Sequence, residues 1–219
     1  MQWQITKPIS RFVKSKYKHF LFDFDGVIID SFEACYEVCA ALSSGPVTCE
    51  EYRRMHDGNI YELVIDDENL QETVRSEVND ENPFFKKLIP TIIGLPPVSG
   101  MKDVLVDLAE RSQMDVMTSS INSFIEAYLT RNELRHLFKG VYGADVHHSK
   151  HVKMQRLMEK CGGDPKSYLL VTDTLGDLRE AKKAGVDAVA VSWGFHKPET
   201  LMKGDPIKII DTPEELLSL

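Results

Sequence analysis

The densest grouping of reactive side chains in this 219-residue sequence is Asp23-Phe24-Asp25-Gly26-Val27. It follows a short apolar run, His19-Phe20-Leu21-Phe22, that reads as a buried strand. In extended chain, residues i and i+2 point to the same side, so Asp23 and Asp25 can face one reacting atom. Gly26 then lets the backbone turn away without a steric penalty. Two carboxylates held this close repel each other unless a cation lies between them or one keeps its proton. Both conditions suit phosphoryl transfer. A Mg²⁺ ion neutralises one carboxylate and the phosphate, while the other carboxyl protonates the leaving oxygen. For a bare Asp-x-Asp, a pair of turn-forming aspartates is the plainer alternative.

Such residues need a frame, and the spacing of apolar positions supplies one. From residue 101 onward, helical and strand patterns alternate. Helices are expected over Met101–Arg111, Asn122–Leu137, Lys150–Cys161 and Leu175–Ala184. Strands are expected over Met114–Thr118, Gly140–Gly143, Tyr168–Thr172, Ala188–Val191 and Ile207–Ile210, and a C-terminal helix opens at Thr212-Pro213. This alternation predicts a Rossmann-like parallel sheet with helices on both faces. Sites in such sheets lie at the carboxyl ends of the strands. Residues 31 to about 93 differ in kind, because apolar positions (Phe32, Cys35, Tyr36, Cys39, Leu42) recur there at helical spacing and β-branched runs are few. The turn-forming stretch Gly94–Gly100 closes that section. Within it, the acidic stretch Asp66–Glu81 reads as a solvated helix face.

The whole-chain composition narrows the class. With 42% hydrophobic and 27% charged residues, the chain has the make-up of an ordinary globular protein. A net charge of −8 leaves no general basic surface, which argues against nucleic acid as a partner. The same charge attracts no anion from a distance, so a phosphate site must carry its own local cation. No stretch approaches the ~20 apolar residues of a membrane span. Cys35 and Cys39 stand one helical turn apart, but no zinc-spaced partners follow them; with Cys49 and Cys161 they read as reduced thiols. Lys7, Arg11, Lys14, Lys16 and Lys18 form a basic lead into the first strand, without the apolar run of a signal peptide. A cytoplasmic location is the expectation.

The string Asp23-Phe24-Asp25-Gly26-Val27 with Asp30-Ser31 resembles the first motif of the haloacid dehalogenase superfamily, in the branch with a small helical cap. Three further stretches continue the resemblance in order. Val116-Met117-Thr118-Ser119-Ser120 is a strand ending in hydroxyls, where Thr118 can donate to a phosphoryl oxygen. The amides after it open a helix, whose N-terminus favours an anion. The superfamily then places a lysine at a helix start, to offset the charge on nucleophile and phosphate. Lys150 fits best by its spacing to the Cys161-Gly162 helix end, with Lys153 as the second candidate. Val171-Thr172-Asp173-Thr174-Leu175-Gly176-Asp177 resembles the acidic motif, with Thr172 where glycine is usual.

The resemblance implies an α/β core over residues 1–29 and 99–219 and an inserted α-helical cap over 30–98. It implies Asp23 as nucleophile and Asp25 as general acid and base. Gly26, Thr118, Ser119 and Lys150 would hold the phosphoryl group. The ligands of Mg²⁺ would be Asp23, the Asp25 carbonyl and Asp173, with Asp177 acting directly or through water. Within the cap, Arg53-Arg54-Met55-His56-Asp57-Gly58-Asn59 concentrates donors around a glycine. Arg53, His56 and Asn59 are therefore candidates for substrate contact, with an exposed helix corner as the alternative reading of the segment. The expected activity is hydrolysis of a small phosphorylated metabolite; the tail Val191–Leu219 looks most like the phosphoglycolate phosphatase branch. Two alternatives share the core: a sugar-phosphate mutase of the β-phosphoglucomutase type, and a non-catalytic phosphate-binding regulator. A dehalogenase fits less well, because halide departure requires neither a proton donor nor the metal ligands.

Overall fold

The apolar run after Lys18 forms the first strand, β1 (His19–Phe22), and the other strands assemble on both sides of it. The computed structural model describes residues 16–219. Of the basic N-terminal lead, Lys7, Arg11 and Lys14 lie outside the described residues, and Lys16 pairs with Asp187 at 3.1 Å. Four helices follow β1: α1 (Phe32–Leu42), α2 (Cys49–Arg54), α3 (Glu68–Arg75) and α4 (Pro83–Ile92). The chain then alternates through α5 (Met101–Ala109), β2 (Gln113–Met117), α6 (Asn122–Arg131), β3 (Val141–Tyr142), α7 (Lys150–Cys161), β4 (Tyr168–Thr172), α8 (Leu175–Ala184), β5 (Asp187–Val191), α9 (Pro198–Leu201) and β6 (Lys208–Ile210). The six strands form one parallel sheet in the order β3-β2-β1-β4-β5-β6.

Alternation along the strands divides the core into two layers, as a sheet buried on both faces requires. Phe20, Phe22, Leu169, Val171, Val189 and Val191 pack with residues of α5 and α6 on one face. Leu21, Leu170, Ala188 and Ala190 pack with Met154, Leu157, Leu178 and Ala181 of α7 and α8 on the other. Strand order reverses at β1, which continues to β2 on one side and pairs with β4 on the other. A crevice opens at such a reversal, beyond the strand carboxyl ends. Register brings Phe22 beside both Val116 and Val171. Asp23, Thr118 and Asp173 therefore all leave the sheet at that crevice.

The helical section leaves and rejoins the core at one place. Ile29 bridges Pro97, and the Val98 amide donates to the Ile28 carbonyl (2.9 Å). Within it, α1 packs on α4 through Cys35, Val38, Cys39, Phe85, Leu88 and Ile92, all buried. The four cysteines are free thiols.

Two expected elements differ. The helix predicted over Asn122–Leu137 ends at Arg131, because Glu133 adopts a left-handed conformation (φ 60°) and the Leu134 amide turns back to the Leu129 carbonyl at 2.8 Å. That bond closes a helix and satisfies its last carbonyls; Arg135–Leu137 forms a separate 3₁₀ turn. The C-terminal helix is likewise a 3₁₀ segment, Pro213–Ser218, opened by a capping box between Thr212 and Glu215. Among the described residues, no helix is long and apolar enough to cross a membrane.

Candidate active site

The crevice is organised around one buried cation. Lys150, the first residue of α7, has 2% of its surface exposed, and its Nζ lies 2.7 Å from Asp23 Oδ2 and 2.6 Å from Asp177 Oδ2. Ser149 caps α7, and Glu180 fixes that helix start by accepting from Ser149 Oγ (2.6 Å) and the Lys150 amide (3.0 Å). A lysine opens this helix against the macrodipole, so the local sequence does not favour it there. The two carboxylates supply the compensation and raise the Lys150 pKa above its ordinary value even though burial works to lower it.

Carboxylates outnumber that cation. Asp23, Asp25, Asp173, Asp177 and Glu180 all line the cavity above the strand ends, where Lys150 is the sole Lys or Arg among the described residues. Asp177 takes the larger share of the positive charge. Burial acts to raise its pKa, but Lys150, with a hydrogen bond from Thr172 Oγ1 (2.7 Å), holds it down to about 2. Burial pushes Asp173 up to about 7 and Asp25 up to about 6, and it raises Asp23 well above the usual carboxylate range against the pull of Lys150. Five carboxylates beside one ammonium cannot all stay charged in a buried site, so the balance comes from protons or from a further cation.

Asp173 shows where it would go. Its Oδ2 accepts from the Phe195 amide at 2.7 Å, while its Oδ1 is buried without a hydrogen-bond partner. A Cβ at Gly26 (φ 72°) or at Gly194 would collide with this carboxylate, so both glycines are required for close approach. These hard oxygen donors suit Mg²⁺, which keeps several of its waters. Among the described residues, no three His, Cys, Asp or Glu side chains form a metal-holding group by themselves. The resemblance calls for the Asp23 and Asp173 carboxylates and the Asp25 carbonyl, with Asp177 acting directly or through water. Asp177, whose Oδ2 already serves Lys150 and Thr172, fits the outer position. Thr172, in place of the usual glycine, thus anchors Asp177.

The loop after β2 has a second lysine beneath it. Lys153 Nζ is buried and donates to the Thr118 carbonyl (2.6 Å) and the Gly143 carbonyl (3.2 Å). Burial, reinforced by Lys150, lowers its pKa to about 7. Geometry therefore separates the two candidates: Lys150 meets the carboxylates, and Lys153 ties down the loop. Above it, the Thr118 hydroxyl accepts from the Ser120 amide (3.0 Å), and Ser119 and Ser120 line the cavity. Replacing Lys153 with Met takes the donor from the buried Thr118 carbonyl, while the Gly143 carbonyl keeps the Val146 amide (3.2 Å), and a lost charged hydrogen bond costs ~1.5–3 kcal/mol. Lys153→Met should accordingly lower the urea midpoint with an unchanged m-value.

The predicted cap residues divide. His56 and Asn59 line the cavity, but Arg53 does not. Its guanidinium lies 4.0 Å from the Phe32 ring centre, and its Nε donates to the Phe195 carbonyl at 2.7 Å. Arg53 was expected to contact substrate; the structure gives it a packing and clamping position instead. The segment is docked on the core rather than an exposed corner. The Gly176 amide donates to the His56 carbonyl (3.0 Å), His196 Nε2 donates to the Arg53 carbonyl (2.7 Å), and Arg179 donates to the Asp57 carbonyl (2.5 Å). Gly176 is needed here, since a Cβ would strike the Gly58 and His56 backbones.

Sequence reasoning did not single out Ser31, Tyr61, Ser120, Glu180 or Phe195. Ser31 Oγ donates to Asp25 Oδ1 (2.8 Å), and Tyr61 reaches from the helical section to the Ser119 carbonyl (2.7 Å). The Ser120 hydroxyl is buried without a partner. Only Ser31 and Ser120 had a signal, their place inside motifs already quoted.

A profile of haloacid dehalogenase-like hydrolases matches residues 20–191. A phosphoglycolate phosphatase of Synechococcus elongatus is 27% identical over 209 residues, covering 90% of this chain and 94% of that protein. A protein of Dickeya dadantii named probable phosphatase IndB is 28% identical, covering 90% of each. A haloacid dehalogenase-like family hydrolase of Streptococcus pneumoniae superposes with a TM-score of 0.72 at 19% identity, over 93% of this chain and 98% of that one. With that profile covering the core and the helical section, this chain belongs to the haloacid dehalogenase-like hydrolases, and its named relatives are phosphatases.

Proposed function

We propose that the protein is a Mg²⁺-dependent phosphatase, phosphoglycolate phosphatase-like in its core, that hydrolyses a small phosphorylated metabolite through an aspartyl-phosphate on Asp23. The observation that carries this reading is the buried Lys150 ammonium held between Asp23 and Asp177 in a cavity with surplus carboxylates. That arrangement has an unmet need for positive charge beside a nucleophile.

Asp23 attacks phosphorus as the bond to the ester oxygen breaks, and Asp25 gives its proton to that departing oxygen. Water then attacks the same phosphorus, Asp25 takes the water's proton, and the bond to Asp23 breaks to release inorganic phosphate. Ser31 orients Asp25 through its hydrogen bond. Lys150 offsets the phosphoryl charge, and Thr118, Ser119 and the unpartnered Ser120 hydroxyl offer donors to its equatorial oxygens. When bound by Asp23, Asp173 and the Asp25 carbonyl, Mg²⁺ supplies further neutralisation of the phosphoryl oxygens. The helical section acts as a cap, and the contacts from Arg53 to Tyr61 are those that must part to admit substrate and re-form to exclude water.

The test is phosphate release from a panel of small phosphomonoesters. Turnover should fall to background in EDTA and return when excess Mg²⁺ is added. Turnover indifferent to chelation would contradict the proposal.

A further inference from the structure

Resting on the phosphatase reading, we infer that the alcohol half of the substrate is uncharged and largely apolar, the size of a short alkyl chain or a single ring, and carries no carboxylate.

The cavity has a volume of about 160 Å³. That space includes the crevice where the phosphoryl group would sit, and since ~150 Å³ accommodates one benzene-sized body, the alcohol half is no larger than a single ring. Its floor is the charged crevice. Its walls come from the helical section and are largely apolar: Ile60, Leu70, Val74, Phe84 and Leu88 are among them, and the Tyr52 hydroxyl beside them is engaged with the Cys35 thiol. Among the described residues, the helical section brings no Lys or Arg to this space. Arg53, the nearest candidate in sequence, is engaged with Phe32 and the Phe195 carbonyl.

The polar groups that do face the cavity from the helical section are already spent. Asn82 Oδ1 accepts from the Phe84 amide, and its Nδ2 donates to the Thr73 carbonyl (3.1 Å). Thr73 Oγ1 donates to the Asn69 carbonyl, and Tyr61 donates to Ser119. Asn59 accepts from the Tyr61 amide and donates to the His148 carbonyl. His56 differs. Its Nδ1 must carry a proton to bond the Tyr52 carbonyl (3.0 Å), which leaves Nε2 as a lone-pair acceptor in a ring that burial keeps neutral. The wall therefore offers a substrate apolar surface and lone-pair acceptors such as His56 Nε2, suited to a hydroxyl or N–H and not to an anion.

A second anion on the substrate would meet none of what it needs. It would be desolvated among aromatic and aliphatic side chains, on a wall with no cation and no free donor, above a floor that already holds surplus carboxylates and whose hydroxyls face the phosphoryl group. The lone ammonium, Lys150, is taken by Asp23, Asp177 and the phosphoryl group. A neutral apolar body instead gains about fourfold in affinity per buried methylene (~0.8 kcal/mol).

The experiment compares two non-hydrolysable probes on the full chain in Mg²⁺ by titration calorimetry: benzylphosphonate and phosphonoacetate. Benzylphosphonate should bind at least tenfold more tightly. Equal affinities, undetectable binding of both, or tighter binding of phosphonoacetate would overturn the inference. A parallel turnover assay separates the two claims. If 2-phosphoglycolate is hydrolysed with a higher kcat/KM than benzyl phosphate, the phosphatase reading stands and the inference fails. If benzylphosphonate is preferred but no phosphomonoester is hydrolysed, the cavity preference stands and the phosphatase reading fails.

Discussion

Asp23→Asn is expected to abolish phosphate release, with kcat at least ~10³-fold down, while the protein stays folded. Loss of a covalent nucleophile removes the first chemical step outright, and single knockouts of this kind cost up to ~10⁶-fold elsewhere. The fold should survive, because Asp23 is one of two carboxylates on Lys150 and the ammonium keeps Asp177 at 2.6 Å. The Phe24 amide, which donates to Asp23 Oδ1 at 2.7 Å, keeps an acceptor in the asparagine oxygen. The measurement pairs a phosphate-release assay with thermal unfolding. Retained turnover would show that phosphoryl transfer does not pass through this side chain.

Lys150→Met should lose both activity and stability, and the stability loss should be the larger of any single change at the site. The substitution conserves volume but leaves Asp23 and Asp177 buried and facing each other without their shared cation. Breaking a buried ion pair on one side costs ~3–5 kcal/mol. Adding Asp177→Asn to Lys150→Met removes the repulsion, so the double variant should recover part of the lost stability and none of the activity. Denaturant unfolding of the two single variants and the double reads this as non-additivity, since residues in one charged network do not sum. Additive losses would mean that Lys150 is not the group that reconciles these carboxylates.

Much of this site was legible in the sequence because it stands where strands end. Periodicity placed β4, α7 and α8 to the residue, and the sheet did bring residues 23, 118 and 173 to one crevice. Lys150 was harder to read. Its partners are 127 and 27 residues away, and spacing alone could not separate it from Lys153, one helical turn on. Both are buried, yet one meets carboxylates and the other carbonyls, a difference that exists only once β2 and α8 are in place. Arg53 was misread for a similar reason. A donor-rich loop looks ready for ligand, but its backbone and guanidinium are consumed by docking on α8 and the Gly194–His196 turn. The apolar cavity wall was invisible as a wall, since the same residues form the packing stripe of any helix. The break at Glu133 was missed because a left-handed non-glycine residue has no reliable signature.

Covalent labelling of one residue tests the central claim most directly. The protein is mixed with substrate and Mg²⁺, quenched in acid within the first turnovers, digested and mapped by mass spectrometry. One phosphoryl group on the peptide containing Asp23, absent from Asp23→Asn and discharged when quenching is delayed past substrate exhaustion, is the predicted result. Rapid turnover with that peptide unmodified at every quench time, or with the label on another side chain, would contradict it.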